Sequence, residues 1–393
     1  MADVNVIMLG GKRVGKSTIL AGIMETLGLS GSLSQHFICE DSTDYEAYSK
    51  FSIKEKYKAL KGLLNLRKSG TVFMTRGMGD SKIQKYNISF RLSDKPGRLK
   101  VDFYDVPGEF TNPKKVEFQS EMLPLISNCD VFIVGIDTPY LMECTASVNN
   151  ALNRISDLEV SLQNILVKSK TDLKMVMLVP LKCEKWYEIG EIDKVVAKVK
   201  ERYEVLLQSL SAYPSMMVSI LPIATIGGLR YKEMAPAMVI KREDVFTDHS
   251  CMPKDGANVI LSDGEEYHVQ PPFSVAKDPE AVVDGVTIPN AWYETIPGIG
   301  YAPKNCEQTA LHILRFLIVK TILEQKEYEK NNTGILGFIK NSISGLINWW
   351  NGIDYDSFKA LITNLQKDGK IKDSGEGIEI YHICDEWKEV ELC

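Results

Sequence analysis

The chain has 393 residues, 44% hydrophobic and 25% charged, with a formal net charge of −6. These proportions are those of an ordinary globular protein with enough chain for two or three domains. Its eight cysteines are scattered without C-x-x-C spacing, which argues against a zinc site or a disulfide framework. The chain opens directly on an apolar strand with no signal peptide, so a reducing cytoplasm is the expected setting.

In chain order, the apolar run Val4-Asn5-Val6-Ile7-Met8-Leu9 predicts a strand, and Ile19 to Met24 predicts a helix. Between them stands Gly10-Gly11-Lys12-Arg13-Val14-Gly15-Lys16-Ser17-Thr18, with the spacing G-x-x-x-x-G-K-S. Glycines there let successive backbone N–H groups turn toward a phosphate, backed by the positive end of the following helix. Lys16 is placed to reach the β- and γ-phosphates and Ser17 to ligate Mg²⁺.

The segment from 50 to 100 carries 14 Lys/Arg against three acidic residues. It could draw phosphates or an acidic partner, or be a solvated face. Residues 50–66 read as an amphipathic helix through Phe51, Tyr57, Leu60 and Leu64. A glycine-punctuated stretch holding Thr71, Thr75 and Arg76 follows. Alternation at Ile83, Tyr86, Ile88, Phe90 and Leu92, a turn at Asp94–Gly97 and a second alternating run to Tyr104 then predict a hairpin. Continuous apolar runs at 130–136 and 175–180, and a strand at 216–222, alternate with helical sequence at 144–167 and 192–210. That order predicts an α/β protein whose mostly parallel sheet carries one antiparallel hairpin strand, in the three-layer arrangement of phosphate-loop NTPases. Residues 226–303 read as a β-rich insertion before a last helix (309–327), which closes a domain over 1–330. Residues 331–393 read as a small C-terminal helical or α+β module, in which 335–350 has apolar residues at helical spacing. Such a helix could dock on the core or on a partner, or lie at a membrane surface.

Three further motifs follow the first. Asp105-Val106-Pro107-Gly108 closes a strand where a metal-side carboxylate and a γ-phosphate-sensing glycine are needed. Thr75 is the choice for the threonine that joins Ser17 on the metal, with Thr71 as the other candidate. After the strand ending at Pro180 come Leu181-Lys182-Cys183-Glu184. Lys182 could lay its stem along a purine, and Glu184 could accept from guanine N1 and N2, which adenine does not offer. Ala224 and Thr225 end the next strand, where a backbone N–H reads the purine 6-oxo group. Glu109 occupies the position of a water-orienting glutamine, and Arg13 and Arg76 are possible charge-stabilising arginines.

Taken together, the phosphate loop, Asp105–Gly108, Lys182 with Glu184, Ala224-Thr225-Ile226-Gly227-Gly228 and the run Tyr301–Gln308 resemble the TRAFAC-class phosphate-loop GTPases of the bacterial double-GTPase type, which are associated with conflict and antiphage defence. The resemblance covers about Asp3 to Gln325. It implies a GTP-binding, slowly GTP-hydrolysing, Mg²⁺-dependent switch stimulated by a protein partner or by self-association. Leu181, where GTP-binding switches carry the asparagine of Asn-Lys-x-Asp, leaves an ATPase open, and a non-hydrolysing nucleotide-binding scaffold is a further alternative. No nucleic-acid motif is evident.

Overall fold

A computed structural model describes residues 4–11, 14–24, 37–44, 71–73, 82–92, 98–168, 173–213, 215–236, 238–245, 258–261, 266–268, 273–277, 282–283, 286–287, 289–296, 298–332 and 355–388. The expected helix over 50–66, the residues Lys12, Arg13, Thr75 and Arg76, and the stretch 335–350 lie outside them.

The strands are β1 (Val4–Gly10), β2 (Phe37–Asp41), β3 (Thr71–Phe73), β4 (Gln84–Leu92), β5 (Arg98–Asp105), β6 (Val131–Asp137), β7 (Lys174–Leu181) and β8 (Met216–Ile220). Residues 229–295 add β9 (Leu229–Pro236), β10 (Met238–Val245), β11 (Asn258–Leu261), β12 (Glu266–His268), β13 (Phe273–Lys277), β14 (Val282–Val283), β15 (Val286–Thr287) and β16 (Pro289–Thr295). The C-terminal pair is β17 (Ser374–Gly375) and β18 (Ile378–His382).

Nine strands form one sheet in the order β17-β18-β8-β7-β6-β1-β5-β4-β2. From β8 to β5 neighbours run parallel, and the sequence shows why: β6 and β7 are apolar almost throughout and buried along their whole length, as strands covered on both faces must be. Both edges are antiparallel. A single antiparallel hairpin strand was the expectation; β2 and the β17–β18 pair add to it. The five residues of β2, FICED, lack alternation, and the alternation of β18 marks a strand without saying which sheet it joins.

Helices cover both faces. Val4, Val6 and Met8 of β1 face one core with α1 (Lys16–Met24), while Ile7 and Leu9 face the other. The second core is closed by α2 (Leu123–Ser127) and α3 (Thr138–Glu143), with α4 (Ala146–Asn153) packed against α3 and β6, and by α5 (Ile155–Lys168), α6 (Glu184–Glu188), α7 (Ile192–Arg202) and α8 (Glu204–Ser211). The two long helices expected at 144–167 and 192–210 are each broken in two: Arg154 ends α4 in a left-handed conformation (φ 56°), and Tyr203 (φ −109°, ψ 20°) separates α7 from α8.

On the first face α9 (Cys306–Asn332) packs beside α1, and α10 (Tyr355–Lys367) and α11 (Asp385–Lys388) complete that layer. Fully buried Arg315 of α9 pairs with Asp373 and lies 5.4 Å from the Trp387 ring centroid, which fastens the C-terminal residues to the sheet they extend. Residues 229–295 are β-rich as expected. Their five-stranded sheet, β12-β11-β3-β16-β9, also takes in β3 from the stretch around Thr71. Among the described residues no helix is long and apolar enough to cross a membrane.

Candidate functional site

The parallel strands run from β1 to β5 on one side of it, then return to β6 on the other. Such a reversal opens a crevice at the strands' carboxyl ends, where α/β proteins bind ligands. The described residues of the loop after β1, Gly11, Val14 and Gly15, stand at this reversal. Gly15 is left-handed there (φ 109°), a backbone that disfavours any side chain, and it begins α1 by accepting from the N–H groups of Thr18 (3.0 Å) and Ile19 (3.2 Å). Gly11 passes so near α4 that a Cβ would stand 2.1 Å from the Leu152 carbonyl oxygen.

Lys16 is buried and folds back over the loop, its Nζ donating to the carbonyls of Gly10 (3.3 Å) and Gly11 (3.2 Å). Ser17, in the first turn of α1, donates its hydroxyl to Oδ2 of Asp105 at 2.5 Å across a sequence separation of 88 residues. Asp105 is at the end of β5, beside β1, so the pairing follows from parallel register: Asp105 lies opposite Met8. Gly108 is buried three residues on. It opens a 3-10 turn to Thr111, whose hydroxyl closes it on the Gly108 carbonyl at 2.7 Å; Glu109 belongs to this turn, with its side chain outside those described.

The other half of the crevice is built at the ends of β6, β7 and β8. Leu181 is fully buried, with a methyl 3.8 Å from where a Cβ on Gly15 would stand; it contacts the loop where a polar residue would tether it. Lys182 is left-handed (φ 62°), an unusual conformation for a residue with a long side chain. Two bonds hold it: its backbone N–H donates to Thr225 Oγ1 (3.1 Å), and its Nζ meets Asp137 Oδ2 at 2.5 Å.

Glu184 opens α6 and is buried. Its Oε1 accepts from the N–H groups of Ile226 (2.9 Å) and, less closely, Gly227 (3.5 Å), while its Oε2 is buried with no partner among the described residues. Burial pushes this carboxyl above the usual range, and those backbone donors together with Lys182 pull it partly back. A buried oxygen left without a donor costs about 1–3 kcal/mol, a cost that a bound donor or a water removes. Ala224 is fixed from behind, its carbonyl accepting from Lys304 N–H and that of Ile226 from Ala302 N–H, both at 3.0 Å.

Gly10, Gly11, Val14, Gly15, Lys16, Ser17, Thr18, Asp105 and Gly108 thus stand at the ends of β1 and β5, and Lys182, Glu184, Ala224 and Thr225 at the ends of β7 and β8. Of Thr225 the described role is indirect, since its hydroxyl supports the Lys182 backbone. Sequence reasoning passed over Asp137, Asn149 and Asn153. Asp137 had one visible signal, a carboxylate at the end of the apolar run Val131–Ile136; the asparagines, in unremarkable helical sequence, had none. No group of three or more His, Cys, Asp or Glu side chains able to hold a metal by themselves occurs among the described residues. No protein-family model matches this chain, and no curated protein matches it.

Proposed function

We propose that this crevice binds a purine nucleotide with Mg²⁺, and that the chain is a phosphate-loop GTPase of slow turnover acting as a nucleotide-controlled switch. The observation that carries the reading is the Ser17–Asp105 pair at 2.5 Å beneath a loop across which Lys16 is folded. A hydroxyl and a carboxylate are hard oxygen donors, and two of them suit Mg²⁺, which keeps several waters and takes its remaining ligands from phosphate oxygens. When bound, the ion offsets charge on the β- and γ-phosphates. Lys16 would add a cation on those oxygens, and the N–H groups at the start of α1 would surround them. Gly108 N–H would sense the γ-phosphate and Glu109 would orient water, its negative charge beside the γ-phosphate being the reason for slow hydrolysis.

At the far end, the Lys182 stem would flank the purine. Glu184 Oε2 would accept from guanine, whose N1 and N2 donors fit a carboxylate as adenine's N1 acceptor does not. A second reading, an adenine nucleotide, is favoured by one observation: buried Leu181 gives the base loop no polar support. Thermal melting with Mg²⁺ and saturating GTP or ATP separates them, because preferential stabilisation reports preferential binding. GTP is expected to raise the melting temperature more than ATP, and K16A to abolish the rise. A larger rise with ATP overturns guanine recognition, and no rise with either overturns the site. Bacterial defence, and a partner or self-association that speeds hydrolysis, belong to the same proposal.

A further inference from the structure

Asp137, which belongs to none of the motifs, ties the base end of this site to the helices behind it. Its Oδ2 meets the Lys182 ammonium at 2.5 Å, and its Oδ1 caps α3 by accepting from Tyr140 N–H at 3.3 Å. Its backbone N–H donates to Asn153 Oδ1 (2.7 Å), and Asn153 Nδ2 returns to the Asp137 carbonyl (3.2 Å) and to Asn149 Oδ1 (2.7 Å). All three side chains are buried. Leu152, beside Asn153, is the residue whose carbonyl presses on Gly11. One connected set of bonds therefore runs from the lysine at the base end to the wall of the phosphate loop.

Two features of Lys182 are unfavourable taken alone. A left-handed backbone is disfavoured for lysine, and burying an ammonium with a carboxylate gains nothing over an apolar pair of the same volume. Meeting in one residue, they mark a side chain whose position matters more than its contribution to stability.

We propose that Asp137 is a positioning residue for the purine end of the site: it fixes the Lys182 ammonium, and so sets the lysine stem as a flat wall for the base. The proposal rests on the nucleotide reading above. It assigns Asp137 no contact with the nucleotide, and the plain alternative is that the pair merely joins β6 to the loop after β7.

The test uses the full chain, fluorescently labelled GDP with Mg²⁺, and inorganic tripolyphosphate as a competitor that engages only the phosphate loop. D137N keeps the side-chain volume, the backbone bonds to Asn153 and, through its one remaining oxygen, the α3 cap, and puts an NH2 group in place of the oxygen that faces the Lys182 ammonium, so that this link is lost. K182M removes the ammonium from the other side. Each is expected to weaken GDP about tenfold, and D137N/K182M no more than either alone, because both break one link. Tripolyphosphate is expected to displace the label with a wild-type inhibition constant in all three variants. The proposal is overturned if D137N binds GDP as the wild type does, or if the double variant regains wild-type affinity along with its melting temperature, the signature of a structural pair. It is overturned equally if tripolyphosphate weakens in step with GDP. A wild-type chain that binds neither GDP nor tripolyphosphate removes the nucleotide reading itself, and the proposal with it.

Discussion

The two ends of the crevice are made by different means. At the proposed phosphate end one short segment holds Gly15, Lys16 and Ser17, and Asp105 joins it from the neighbouring strand. At the base end, side chains from the ends of β6, β7 and β8 converge: Asp137, Lys182 with Glu184, and Thr225. The first end is local and glycine-shaped, with Gly10 and Gly11 held close against the backbone of Gly135 and Leu152. The second places two carboxylates and an ammonium under cover, so on the proposed reading its recognition would be tied to buried charge and its stability set against its use. A local stretch can be read in a motif, whereas the contacts of an assembled one, that of Asp137 with Lys182 above all, appear only when the strands are laid side by side.

Substitutions at the two ends should accordingly fail in different ways. Lys16→Ala is expected to have the largest effect, weakening GTP and GDP about a hundredfold, since hydrogen bonds from a cation to phosphate contribute about 1.5–3 kcal/mol and more than one is lost; calorimetric titration measures it. Glu184→Gln should weaken GDP about tenfold and yet raise the melting temperature at pH 7.5. Its amide oxygen still serves Ile226 N–H, while the buried charge is gone. The sign follows from linkage: burial raises the folded carboxyl, so wild-type stability falls as pH climbs from the unfolded value, about 4.3, through the raised folded one. The advantage of the variant should therefore vanish near pH 4. Wild-type affinity for GDP should run the other way and decline as pH drops through that raised value, because only the ionised carboxylate accepts from both guanine donors.

Smaller effects would sharpen the contrast. Ser17→Ala should lower the ratio of GDP affinities with Mg²⁺ and with EDTA about tenfold, leaving the EDTA value near wild type. An unchanged ratio would dissociate Ser17 from the metal. Thr225→Ala removes the acceptor of the Lys182 N–H and should cost about 1 kcal/mol in chemical denaturation, with a loss of GDP affinity of only a few-fold.

Much of the sheet was legible because its parallel strands are apolar on both faces, a pattern that β6 and β7 display without interruption. The β4–β5 hairpin was legible from alternation and its turn. The edge strand β2 was not, since five mixed residues carry no period, and neither was the incorporation of β3 into the sheet of residues 229–295, which depends on partners distant in sequence. The strand–loop–helix position of Gly10, Gly15, Lys16 and Ser17 could be read from their spacing, whereas the bond from Ser17 to Asp105 needed the register of β1 and β5. Asp137 was missed because a carboxylate after an apolar strand looks like any helix cap until the lysine of the next loop is found against it.

The sequence by itself determined an α/β chain with a glycine-rich turn between its first strand and helix, because hydrophobic periodicity and glycine spacing are properties of neighbouring residues. Tertiary structure alone decided which carboxylates face which cations, that Glu184 keeps one oxygen bound and one bare among the described residues, and that the C-terminal hairpin extends the same sheet. Those outcomes depend on strand order and register, which bring together groups that no local pattern relates.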